Sequence, residues 1–234
     1  MKTVILLAGH GTRMYPLTYY VNKGMIPLAG RPLIEHIIIK LAEQGFDDLI
    51  IAVTAFPEQL RHYFADGERW NVHIEYVERP RPSQTAGEVA ALAGKLAQEE
   101  AFLVHYGDII SNLDCAAMAD RHLQSRATAT IGLVTGVPFH GGVAELDASD
   151  RLLSFVEKPL MQQPVHAAIN VFSPRVLDYC AVGKDFSNDV IPEMIAAGEE
   201  VIGYLDPQAY WHDVGRLSDL DIVADFLQKL GKPW

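Results

Sequence analysis

The stretch Leu6–Gly30, LLAGHGTRMYPLTYYVNKGMIPLAG, constrains the rest of the chain most. It begins as the end of an apolar strand, Thr3 to Leu7, and breaks at once into Ala8, Gly9, His10, Gly11, Thr12 and Arg13. A buried strand that empties into a glycine loop leaves backbone at the strand's carboxyl end free to approach a ligand. Successive N–H groups in such a loop form a concave anion site. Arg13 adds a planar, permanently charged fork suited to phosphate. Lys23 follows as an isolated cation among apolar and turn residues. Together these make a triphosphate cradle. The same letters also describe a plain strand-to-helix turn with a surface arginine. A P-loop is excluded, because Gly11-Thr12-Arg13 lacks the Gly-Lys-Ser/Thr ending. A dinucleotide fingerprint is excluded too, because its third glycine would fall at Met14.

The pattern that follows predicts an α/β fold. Arg31 to Gln44 reads as a helix with Pro32 at its first position and Leu33, Ile34, Ile37, Ile38 and Leu41 on one stripe. Asp48 to Val53 is a continuous apolar strand of the kind buried in parallel sheets. A helix over Pro57–Phe64, a strand from His73 to Val77, a helix from Thr85 to Ala97 and a strand from Phe102 to Tyr106 come next. Such alternation implies right-handed crossovers and helices on both faces of a mostly parallel sheet. Ligands bind beyond the carboxyl ends of such strands. The glycine loop, the ERPRPSQTAG loop and Gly107-Asp108 all sit at such ends. Beyond Asp108 the pattern becomes mixed. Helices are expected over Ala116–Gln124, Asn188–Ala197 and Ser218–Leu230, the last capped by Ser218. Short strands are expected at 128–134, 142–146, 152–156, 167–172, 201–205 and 210–214. With no repeat and no linker, residues 1–234 read as one domain, a first half to residue 112 and a second from 113 that carries a mixed-sheet lobe.

LLAGHGTRMYPLT followed by NKGMIPLAGRPLIEH closely resembles the signature of the sugar-1-phosphate nucleotidylyltransferases. The usual form has a small residue where this chain has Leu7, and prolines where it has Asn22 and Gly24; Arg13 and Lys23 are kept. The resemblance runs from Thr3 to about Asp219 and implies a Rossmann-like nucleotide-diphospho-sugar transferase fold. It implies an enzyme that joins an NTP to a sugar 1-phosphate, giving an NDP-sugar and pyrophosphate. Leu7, Ala8, Gly9, Gly11, Thr12 and Arg13 would then hold the nucleotide, with Arg13, Lys23 and Asp108 catalytic. Asp108, in YGD, and Asp213, in YWHDVG, match the two segments that supply the family's metal-binding aspartates, and two acids at strand ends can share one Mg²⁺. By themselves they read equally well as turn or capping residues.

QTAGEVAAL resembles the segment near the nucleobase and sugar, placing Gln84, Thr85 and Gly87 there. The Gln84 amide could read a base edge or cap the following helix. On the acceptor side, Glu157-Lys158-Pro159 looks like the family's glu-lys-pro motif, although its residues alone describe a surface charge pair. Gly142 matches the glycine that backs the sugar, and HAAINVF resembles asn-ala-gly-ile-tyr-val-phe with His166 for the asparagine and Ala168 for the glycine. Those exchanges bear on the sugar and leave the triphosphate parts intact.

A formal net charge of −11 argues against nucleic acid or an anionic membrane as partner. Two cysteines without paired spacing, Cys115 and Cys180, suit a reducing cytoplasm. The nine histidines show no zinc spacing, and no G-x-S-x-G elbow is present. About twenty residues follow Asp213, room for one helix and for neither the β-helix nor the acyltransferase extension of some relatives. A homo-oligomer is compatible with all of this. So are a cytidylyltransferase for phosphocholine or a polyol phosphate and a non-catalytic sugar-nucleotide-binding subunit.

Overall fold

A computed structural model describes residues 1–139 and 141–230. Its centre is a seven-stranded sheet of β1 (Lys2–Leu7), β2 (Asp48–Val53), β3 (His73–Glu78), β4 (Phe102–Tyr106), β5 (Ala129–Val134), β6 (Val165–Phe172) and β7 (Val201–Leu205). From edge to edge the order is β7-β5-β6-β4-β1-β2-β3. The pairs β1–β2, β2–β3, β1–β4 and β5–β7 are parallel, while β6 runs antiparallel to both β4 and β5. The sheet therefore joins strands from both halves of the chain. β1 is paired on both sides, and Val4, Ile5 and Leu7 are buried, which explains its unbroken apolar run.

One face of the sheet is covered by α1 (Leu33–Glu43), α2 (Pro57–Phe64), α4 (Cys115–Ser125) and α6 (Leu217–Lys229). The other face packs on α3 (Thr85–Ala90), a short helical turn at Ala93–Leu96, and α5 (Ile191–Ala196). The α1 stripe of Leu33, Ile34, Ile37, Ile38 and Leu41 is buried as expected. Pro32, however, lies just before the helix, where Arg31–Pro32 pairs with Pro27–Leu28. The expected long helix from Thr85 is split, because Leu92 N–H bonds Val89 O at 2.9 Å and tightens the turn. The helix expected at Asn188 begins earlier, as a wide π turn over Phe186–Val190 capped by Asp185. Arg216, and not Ser218, is the cap of α6; Asp219 Oδ2 accepts from Arg216 N at 2.7 Å.

Two features of the second half bear on the site. The register of β6 shifts between His166 and Asn170, with Ala168 at a φ of 57°. The hairpin Gly142–Leu146/Leu152–Glu157 stands off the body with all its residues exposed.

Candidate active site

The glycine loop is fixed from below by a side chain. Met14 is fully buried and its N–H donates to Gly11 O at 2.8 Å, closing the turn Thr12–Met14. Gly11 has a φ of 61° and accepts from Thr18 Oγ1 at 2.8 Å. A Cβ there would meet Thr18 Cγ2 at 2.9 Å, so glycine is required both by conformation and by space. Thr12 and Arg13 are left exposed at the mouth.

Lys23 starts a second short turn, Lys23–Met25, and its Nζ lies 2.6 Å from Asp108 Oδ2. Asp108 is held at the end of β4 by Gly107. A Cβ on Gly107 would fall 2.4 Å from Leu7 Cδ2 and 2.8 Å from Leu6 O. Asp213 arrives by strand pairing, since Trp211–Asp213 is antiparallel to Ile109–Ser111 with Asp213 opposite Ile109. Val214 N–H then donates to Asp108 O at 2.8 Å. Arg13 Nη1 is 3.9 Å from Asp213 Oδ2. Gly215 leaves room for that approach; a Cβ there would sit 3.0 Å from Arg13 Nη1 and 2.9 Å from Asp213 Oδ1.

The electrostatics are those of two acids competing for charge. Burial, and then the Asp108 carboxylate, push the Asp213 carboxyl above its ordinary range, while Lys23 and Arg13 pull it back. Asp213 Oδ1 is buried without a hydrogen-bond partner. A buried, unpartnered carboxylate oxygen beside a second carboxylate is the donor set of a divalent cation whose remaining positions are filled by water and phosphate. The residues present therefore fit a Mg²⁺ ion. Beyond these two, the described residues hold no cluster of three or more metal-binding side chains.

A cavity of about 260 Å³ lies beside this group, lined by Leu6, Ala8, Gly9, Pro82, Gln84, Thr85, Glu88, Tyr106 and Asp108. Leu7 points instead into the core, and Gly11, Thr12 and Arg13 lie outside the lining. Gln84 has a φ of 62° and its side chain does not cap α3, which leaves its amide available. Gly87 packs closely, its missing Cβ lying 2.9 Å from Ser83 Oγ. Two residues here escaped the sequence reading. Buried Glu88 accepts from Ser83 N (2.7 Å), Ser83 Oγ (2.9 Å) and Arg79 Nε (3.2 Å), tying down the proline-rich loop. Asp185 accepts from Thr85 Oγ1 at 2.7 Å, joining the cavity wall to the start of the π turn.

The acceptor candidates are more scattered. Gly142 lies opposite Glu157 in the exposed hairpin, and a Cβ on it would fall 2.3 Å from the Phe155 ring. Lys158 adopts a φ of 50° and donates its N–H to Gly141 O at 3.1 Å. None of these three lines the cavity. His166 is nearer: it bonds Asn170 Oδ1 through Nε2 (2.9 Å) and Ser187 Oγ through Nδ1 (3.2 Å), and meets Tyr106 edge-on at 6.2 Å. Burial lowers its pKa and favours neutral imidazole. Asn170, fully buried, is a further residue that the sequence reading passed over. Reading HAAINVF to its fifth letter supplies the signal: ring and amide have changed places relative to the motif it resembles.

A model of the nucleotidyl transferase family matches residues 2–229. The chain belongs to that family. It is 35% identical over 226 residues to a mannose-1-phosphate guanylyltransferase of Mycobacterium tuberculosis, covering 94% of this chain and 62% of that protein. It is 30% identical over 239 residues to a UTP–glucose-1-phosphate uridylyltransferase of Synechocystis, covering 94% and 61%. The chain thus spans about three fifths of these relatives' length. Among solved structures, a Bacillus anthracis protein assigned as a glucose-1-phosphate thymidylyltransferase and crystallised with sucrose superposes with a TM-score of 0.79 at 19% identity, covering 100% of this chain and 98% of its own. HddC from Yersinia pseudotuberculosis, complexed with GMP-PN, superposes with a TM-score of 0.76 at 19% identity, covering 97% and 99%. These likenesses establish the nucleotidyltransferase fold. No helix among the described residues of this family member is long and apolar enough to cross a membrane.

Proposed function

We propose that this nucleotidyl transferase family member joins an NTP to a sugar 1-phosphate, producing an NDP-sugar and pyrophosphate. One observation carries the reading: two cations and two carboxylates, Lys23–Asp108 at 2.6 Å and Arg13–Asp213 at 3.9 Å, converge beside a cavity at the carboxyl ends of β1 and β4. A phosphate oxygen of the acceptor attacks the α-phosphorus in line and the bond to pyrophosphate breaks, with no covalent enzyme intermediate. The protein's part is positioning and charge neutralisation.

In this reading the first half of the domain, to residue 112, binds the nucleotide. The Gly9–Gly11 loop, Thr12 and Arg13 hold the triphosphate, and Gln84, Thr85 and Gly87 border base and sugar. Lys23, paired with Asp108, is within the same group as the proposed phosphate site and would neutralise charge growing on the phosphates. Asp108 and Asp213 would hold Mg²⁺, which supplies offsetting charge at the α-phosphate. The second half binds the acceptor, with Lys158 drawing in its phosphate and Glu157, Gly142 and His166 facing the sugar. Asn170 Nδ2 is buried without a partner beside His166, which suits a ligand that brings its own hydrogen-bonding groups. The partners are small phosphorylated molecules, and the setting is the cytoplasm.

Pyrophosphate release from each NTP, with and without Mg²⁺, against a panel of sugar 1-phosphates tests the proposal. Release is expected only when nucleotide, metal and acceptor are all present. Steady release without any acceptor would mean a pyrophosphohydrolase, and no release with any acceptor would fit a binding subunit.

A further inference from the structure

Three departures from the resembled signature, Leu7, Asn22 and Gly24, surround Lys23. Asn22 is only 2% exposed, and its side-chain amide donates and accepts within the protein. Its Nδ2 donates to Ala55 O at 2.6 Å, its backbone N–H donates to Gln59 Oε1 at 2.7 Å, and its Oδ1 accepts from Gly24 N at 2.8 Å. The first two bonds tie the Lys23 turn to the connection after β2 and to the first turn of α2. The third caps the turn itself. Gly24 is buried, and a Cβ on it would lie 2.9 Å from Leu7 Cδ1 and 3.2 Å from Ile34 Cβ. The turn therefore lies flat on Leu7, and the larger side chain at position 7 goes with the smaller one at 24. Prolines on either side of a lysine hold its backbone by ring closure. Here a buried amide and a close glycine contact do the same work.

We infer that Asn22 is the positioning residue for Lys23. It fixes the backbone from which the ammonium reaches Asp108 and, on the function proposed above, the phosphates. Its contacts are all with protein groups, and its effect passes through the neighbouring lysine. A small misplacement of such a group costs up to about 100-fold in rate.

The test compares Asn22→Ala in two backgrounds. In the otherwise unchanged protein, kcat for pyrophosphate release is expected to fall roughly 10- to 100-fold. In a Lys23→Ala background the same substitution is expected to change nothing further, because residues acting as a unit are not additive. Equal losses in both backgrounds would overturn the inference. A second readout needs no turnover. The rate at which acetic anhydride labels Lys23, followed by peptide mass spectrometry with Lys95 as reference, is expected to rise severalfold in Asn22→Ala. Unchanged labelling would overturn the inference. If the unchanged protein releases no pyrophosphate, the proposed function fails while the labelling still decides the role of Asn22. Should Asn22→Ala not fold, Gln59→Ala removes one of the three bonds and is expected to raise labelling in the same direction, a flat response again counting against the inference.

Discussion

Lys23 Nζ donates to Asp108 Oδ2 at 2.6 Å across a separation of 85 residues, with the two side chains 12% and 23% exposed. Asp213 stands beside that pair and carries a buried carboxylate oxygen without a partner. Removing either acid to Ala is expected to lower kcat by roughly two to three decades, the scale of about 3–4 kcal/mol in transition-state stabilisation. If both acids serve one ion, as proposed, the double variant should be little worse than the worse single one. The measurement is kcat across a Mg²⁺ titration, with melting temperature as the folding control. Multiplicative losses would sink the shared-ion assignment.

Two glycines at this site should respond differently to the same added methyl. At Gly107 the Cβ would meet backbone, Leu6 O at 2.8 Å, as well as Leu7 Cδ2 at 2.4 Å. Neither can yield freely, so Gly107→Ala is expected to cost about 1–3 kcal/mol of stability, the range for overpacking. At Gly215 the Cβ would meet only the ends of two side chains, Asp213 Oδ1 at 2.9 Å and Arg13 Nη1 at 3.0 Å. Gly215→Ala is expected to leave the melting temperature nearly unchanged while raising the KM for NTP. Urea melts and steady-state kinetics on both variants separate the two outcomes.

Arg13 and Lys158 belong to different elements, the glycine loop and the segment that follows the exposed hairpin. Arg13→Ala should chiefly raise the KM for NTP, and Lys158→Ala that for the sugar 1-phosphate. A Lys158→Ala variant that altered only the nucleotide KM would show the acceptor phosphate to be elsewhere.

His105 gives the pH dependence a definite sign. The residue is 4% exposed, its Nδ1–H donates to Tyr106 O at 2.7 Å, and burial pushes its pKa down to about 4. The folded state therefore disfavours the protonated ring. The corresponding stability is fully present above the unfolded value near 6.5 and is lost as the pH falls from there through about 4. The loss amounts to roughly 3 kcal/mol over that window, at about 1.4 kcal/mol per pH unit. His105→Leu should flatten the part of the stability profile between pH 6.5 and 4 that this ring contributes. A profile as steep as that of the unchanged protein would assign the slope to other groups.

The sequence by itself determined the elements whose pattern is local. β2, α2, β4 and β7 begin and end where their apolar runs and flanking turn residues place them. The α1 stripe faces the core as its spacing requires. The glycine loop falls at the end of β1 because glycine and a buried Met14 leave it nowhere else to go. Tertiary structure decided what depends on partners far along the chain. That β6 runs antiparallel, with a register shift between His166 and Asn170, cannot be read from a period of two, which is the same for either direction. Asp213 stands beside Asp108 because Trp211–Asp213 pairs with Ile109–Ser111, and neither segment names its partner. Glu88 and Asp185 look like ordinary polar residues in sequence, and Asn22 stands out only for replacing a proline. Burial gives them their roles, since a buried polar group must find hydrogen-bond partners and those partners lie on other elements.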